Sequence, residues 1–180
     1  FIGCETAATA RKLGCEVTVV GDLILPMHRP LGDQLGAELQ RRHESQGVKF
    51  KLGVAVAEVS GQDRVTGIVL SDGSTVDCDV LIESIGSHTN VEWLEGNDLN
   101  LENGILVNSF LRAVKNDGIP WENVFAVGDI ARFPNEVYDN LARRVEHWNI
   151  PTETAKRVAT VICNPDAPAQ FRPIPSFWSD

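Results

Sequence analysis

"FIGCETAATARKLGCEVTVV", residues 1–20, decides how the rest of the chain is read. Ala and Thr recur at helical spacing from Gly3 to Leu13, and Gly14 follows as a helix stop. Glu16 to Val20 is a short β-branched run, the pattern of a buried strand. A small residue opens the helix, and the acidic Asp22 stands just beyond the strand.

The same rhythm continues downstream. Gly32 to Gln46 is expected as a second helix, with Leu35 and Leu39 on one face and Gly47 as its stop, and "VKFKL", Val48 to Leu52, as a second strand. Helix and strand in alternation indicate a doubly wound, Rossmann-like parallel sheet. "VAVAEVSG", "RVTGIVLSDGSTVDCD" and "VLIESIG" then read as short strands joined by turns, Asp72-Gly73 among them. They predict an antiparallel meander inserted before the sheet resumes at Val80 to Glu83. A further strand is expected after Asn103-Gly104, another in "NVFAVGD", and a helix from Pro151 to about Ile162, where proline suits the first turn. The fold class is therefore α/β, with part of a second α/β domain following the first.

Composition excludes several classes. A net charge of −9 argues against a general nucleic-acid surface, which needs clustered Lys and Arg. No apolar run approaches the ~20 residues that span a membrane, and a cytoplasmic location is expected. Cys4, Cys15, Cys78 and Cys163 form no short pair, so they predict buried reduced thiols and no zinc ribbon or local redox disulfide. Cys4 stands apart, because a thiol in a first helical turn can have a lowered pKa. No metal constellation is visible.

Helix, strand and acidic residue are the later part of a dinucleotide fingerprint, strand–G-x-G-x-x-G–helix–strand. Gly3 then stands where the third glycine lets the helix pack closely on a strand. The first strand and the first two glycines would precede Phe1, so the chain reads as a fragment. Taken alone, Gly3 is equally a small residue near a helix start.

The ordered series of motifs resembles one family. "FIGCETAA", "ESIGSHTNVEWLEGNDL", "VFAVGDIARFPN", "RVEHW" and "SFWSD" occur in the order found in the pyridine nucleotide–disulfide oxidoreductase superfamily, and within it in the ferredoxin and rubredoxin reductase branch. The resemblance implies an FAD-dependent enzyme that passes electrons from NADH, with NADPH as the alternative, to an iron–sulfur ferredoxin-type protein. It assigns residues 1–110 to an NAD(P)-binding domain lacking its first strand. Residues 111–180 become the returning C-terminal half of an FAD-binding domain, and the isolated fragment is expected to be inactive.

The same resemblance gives roles to single residues. Glu5 would help hold the nicotinamide carboxamide, although a carboxylate also suits a positive helix end without any ligand. NADH users of the family place Glu directly after the second strand; here that position is Gly21, and Asp22 is the ribose ligand one residue later. His28 and Arg29 are the cations available if the cofactor carries a 2′-phosphate. Gly86 in "SIG" lies close to the dinucleotide, and Gly128-Asp129 in "AVGD" approach the FAD, Asp129 on its ribityl chain. Glu146, His147 and Trp148 precede the helix whose N-terminus faces the flavin; "NIPTET" departs from the family's usual Asn-Ala and Gln-Gly pairs there. His147 and Trp148 are equally readable as packing residues. Trp178 in "SFWSD" is the residue expected to pass electrons to the partner, or else an ordinary edge aromatic. Two other readings stay open: a relative with a disulfide or oxygen acceptor, and a non-enzymatic flavoprotein that senses NAD.

Overall fold

The alternation of helix and strand becomes a parallel pair in a computed structural model that describes residues 1–164 and 170–174. Packing divides the chain into two units between Gly86 and Ser87. In the first unit α1 (Ile2–Lys12) leads to β1 (Val17–Gly21), and α2 (His28–Ser45) leads to β2 (Val48–Leu52). The two strands run parallel from Val17 beside Val48 to Gly21 beside Leu52. A parallel pair needs a crossover connection, and α2 is that crossover. Arg11 at the end of α1 donates from Nε to the Gln46 carbonyl (3.1 Å) and from Nη1 to the Cys15 carbonyl, tying the ends of both helices together.

Two details of α2 differ from expectation. The helical turn begins at His28 and is interrupted at Gly32 (φ 71°, ψ −175°), so the regular helix starts after that residue. Leu35 points to solvent and Gly36 is the buried position. A Cβ at Gly36 would lie 3.1 Å from the Pro26 carbonyl, so the contact face is set by main-chain approach and not by the leucines.

The predicted meander is present as β3 (Val56–Gly61), β4 (Val65–Leu70) and β5 (Thr75–Asp77), antiparallel and in that order. Ile68 and Leu70 of the central strand are buried. In the Asp72-Gly73 turn the Asp72 carboxylate accepts the Ser74 N–H at 2.9 Å, which holds its pKa below the ordinary value. Val80 to Glu83, expected as a strand, joins no ladder among the described residues, and Val80 and Ile82 are 72% and 57% exposed. β-branched composition favours a pleated neighbour but does not supply one.

The second unit contains β6 (Ile105–Leu106), β7 (Arg112–Val114), β8 (Pro120–Phe125), β9 (Ala131–Phe133), β10 (Arg143–Arg144) and α3 (Asn149–Cys163). Strand β9 is central, parallel to β6 and antiparallel to β10; β7 and β8 form a separate antiparallel pair. The strand expected through "NVFAVGD" is shorter, because its ladder ends at Phe125 and a 3₁₀ turn occupies Gly128–Ile130. α3 buries Ile150, Thr154, Val158 and Val161, an i, i+4, i+8, i+11 stripe. Ile105 and Val107 share one core with Leu111, Phe133 and Phe171, so residues just before position 110 pack with the segments that follow. Among the described residues no helix is long and apolar enough to cross a membrane.

Candidate functional site

The predicted residues fall into one group in each unit. In the first, Gly3 and Glu5 occupy the opening turn of α1, and a Cβ built on Gly3 would lie 3.5 Å from that of Ser84. The helix start and the "SIG" segment are therefore neighbours, as a dinucleotide cradle requires. The 3.5 Å separation is an ordinary van der Waals contact, so sterics alone do not demand glycine at position 3. Gly86 has φ 94° and open space around it. Asp22 follows β1 directly, is exposed and pairs with no other described residue. Of the two nearby cations, the His28 ring lies 2.8 Å from the Asp33 carboxylate, whereas Arg29 is exposed without a partner among the described residues.

Cys4 departs from expectation. Its thiol is half-buried, and burial pushes its pKa up, with the Glu5 carboxylate adding to it. Desolvation is the largest influence on this thiol, so the lowered pKa expected of a first-turn cysteine is not found. Cys15 and Cys163 are exposed and not buried as expected, and Cys78 is half-buried; all four thiols are free.

The second group is built around the turn at Gly128. This glycine is buried with φ 73°, a conformation that strains any residue with a Cβ. Its N–H donates to Thr154 Oγ1 at 2.9 Å, and that hydroxyl in turn donates to the Ile150 carbonyl at 2.6 Å. Thr154 is 0% exposed. The turn is thus anchored to the first turns of α3, while the Asp129 carboxylate projects to solvent with no partner among the described residues. Its main-chain carbonyl accepts Arg144 Nη1 at 2.9 Å.

Glu146 is not a free acid: it lies 2.6 Å from Arg144 Nη1 and accepts the Ser87 hydroxyl at 3.0 Å. His147 Nδ1 lies 2.8 Å from Asn149 Oδ1. Trp148, immediately before α3, is 83% exposed and caps nothing with its side chain, so it does not pack within its unit. Trp178 lies outside the described residues. A cleft of about 550 Å³ on α3 is lined by Glu153, Lys156, Arg157 and Arg172. It does not include Gly128 or Asp129.

Thr154 and Arg144 were not singled out by the sequence. Thr154 had a signal, since a hydroxyl within an apolar helical stripe implies a buried partner. Arg144 had none beyond its place in "RVEHW".

The α/β fold of the chain is shared by its relatives. A family model described as pyridine nucleotide-disulphide oxidoreductase matches residues 1–155. Rhodocoxin reductase of Rhodococcus erythropolis is 32% identical over 181 residues, covering 100% of this chain and 40% of that protein. The structure of a ferredoxin reductase from Rhodopseudomonas palustris superposes with a TM-score of 0.85 at 36% identity, covering 100% of this chain and 43% of that one. The reductase in the covalent putidaredoxin reductase–putidaredoxin complex gives 0.84 at 28% identity, covering 99% and 42%. The chain thus spans about two fifths of the length of these relatives. The chain belongs to the pyridine nucleotide-disulphide oxidoreductase family.

Proposed function

We propose that this chain is the part of a flavin-dependent reductase that binds reduced nicotinamide and the ribityl side of FAD, in an enzyme delivering electrons to an iron–sulfur ferredoxin-type protein. The observation that carries this reading is the Gly128–Asp129 turn, where an unpaired carboxylate stands beside backbone from which no Cβ projects. The donor set fits FAD. Asp129 accepts from ribityl hydroxyls, and the positive N-terminal end of α3 suits the anionic side of the flavin through its dipole, since in that turn the Ile150 N–H is already held by the His147 carbonyl at 2.9 Å and Pro151 has none. FAD, when bound, joins two-electron donation by the nicotinamide to one-electron delivery to the partner. The unit up to Gly86 serves the nicotinamide dinucleotide, and the unit from Ser87, which carries the Asp129 turn and takes in residues 87–110 as well, serves the FAD. Glu5 and Gly86 hold the nicotinamide side, and Gly3, in the third-glycine place, lets α1 pack closely beside it. Glu146, His147 and Trp148 line the approach to the flavin.

NADH is the proposed donor. Asp22 is an unpaired acceptor for ribose hydroxyls and would repel a 2′-phosphate, and the Asp33 carboxylate already engages His28. Trp178 is the proposed exit for electrons, on the strength of its "SFWSD" motif. The enzyme is proposed to work in the cytoplasm. The test is an anaerobic titration of the full-length protein with NADH and, separately, NADPH, following the flavin absorbance. Bleaching by near-stoichiometric NADH is expected. Bleaching by NADPH alone would move specificity to Arg29, and a full-length protein without flavin would overturn the reading.

A further inference from the structure

We propose that Arg144 is a positioning residue that fixes the Asp129 turn and the Glu146 carboxylate relative to one another, so that FAD affinity depends on both through one guanidinium. The inference rests on the reading of Asp129 as an FAD ligand. Three acceptors from three segments meet this side chain: the Asp129 carbonyl at 2.9 Å from Nη1, Asn103 Oδ1 at 3.0 Å from Nε, and Glu146 Oε1 at 2.6 Å from Nη1. The Arg144 side chain is only 12% exposed against 43% for Glu146, so the guanidinium is shielded while the carboxylate stays partly solvated, and the pair is screened less than one exposed at both ends.

The surrounding backbone is built for the contact. A Cβ at Gly104 (φ 96°) would lie 2.5 Å from the Ile130 carbonyl and 2.7 Å from Arg144 Cδ, so the glycine lets the Asn103 turn and the Asp129 turn close around the arginine stem. Arg144 sits on β10 beside Arg132 of β9, the strand entered directly from the Asp129 turn. A guanidinium offers its donors in a rigid planar fork, so a shift of one acceptor is felt by the others. An ammonium is a point charge and cannot reproduce that geometry. Ser87 holds Glu146 from a further side, so its carboxylate has a defined position to be coupled to.

The experiment uses the full-length protein stripped of flavin, with Arg144→Gln, Arg144→Lys, Glu146→Gln and the Arg144→Gln/Glu146→Gln double variant. The FAD dissociation constant is read by flavin fluorescence, alongside the flavin midpoint potential and Tm. Arg144→Gln is expected to weaken FAD binding by about tenfold, or about 1.4 kcal/mol, with Lys restoring little of it. The double variant is expected to bind no more weakly than Arg144→Gln alone, the mark of coupled residues. If Arg144→Gln does not fold, the cycle is run with Arg144→Lys. Additive losses, or a lowered Tm with unchanged FAD affinity, would overturn the inference alone. A wild-type protein that takes up no FAD would overturn the functional reading, and this inference with it.

Discussion

Replacing Thr154 by valine tests whether the acidic turn is held by one hydroxyl. Valine matches threonine in shape, so the substitution leaves no cavity and removes only the polar atom. Thr154 Oγ1 is the acceptor for the Gly128 N–H at 2.9 Å, in a position where the threonine is 0% exposed. Removing it leaves a buried donor without a partner, a cost of about 1–3 kcal/mol. That energy corresponds to roughly 5- to 150-fold in the equilibrium for opening the turn. Native-state hydrogen exchange at the Gly128 amide reads this opening directly, because exchange reports local unfolding. In Thr154→Val the amide should exchange faster by a factor in that range, and FAD should bind more weakly. Thr154→Ser keeps the hydroxyl and should stay near wild type at this amide. Valine exchanging as slowly as wild type, with FAD equally tight, would refute the assignment.

Three further outcomes are expected. Gly104→Ala should lower Tm strongly, since overpacking against the Ile130 carbonyl and Arg144 stem costs about 1–3 kcal/mol and a left-handed alanine roughly 1–2 kcal/mol more; an unchanged Tm would mean the turn has another conformation. Asp22→Asn in the full-length protein should weaken NADH by roughly tenfold or more, the loss of a charged hydrogen bond, while NADPH holds steady or improves; equal losses for both would remove Asp22 from the ribose. Because burial raises the Cys4 pKa, less thiolate exists at any given pH, so iodoacetamide labelling of this residue should rise only on the alkaline side of a free thiol. Mass spectrometry should show the exposed Cys15 and Cys163 modified first at neutral pH, and rapid labelling of Cys4 there would contradict its burial.

Much of the first unit was legible because its signals are local. Gly14 after α1, the β-branched run of β1 and the Asp72-Gly73 turn each depend on a few neighbouring residues. The parallel pairing of β1 with β2 then followed from a helix lying between two strands. Val80 to Glu83 carried the same kind of composition and did not form a strand. A ladder is a property of two segments, and β-branched side chains in one of them say nothing about the other. The "AVGD" segment shows the same limit: Phe125 ends a ladder with Arg112, the Ala126 N–H still reaches the Leu111 carbonyl at 3.2 Å, and the chain then turns at Gly128.

The site was legible to different degrees for a related reason. Residues that would touch a ligand announce themselves by type, as the glycine and acid of Gly128-Asp129 do. Residues that hold those groups in place do so through partners far along the chain: Thr154 is 26 positions from Gly128, and Arg144 is 41 from Asn103. Their signal is a local rule broken. Thr154 interrupts an apolar stripe, and Arg144 stands directly opposite Arg132 on an antiparallel pair, where like charges are unfavourable. Arg144 is relieved by the Glu146 carboxylate at 2.6 Å, whereas Arg132 donates only to the neutral Asn100 amide oxygen at 2.6 Å and keeps a buried Nε unpaired among the described residues. Two arginines opposed at such a position are a local conflict of the kind expected where structure is spent on holding a functional site in register, with Arg144 compensated by its carboxylate.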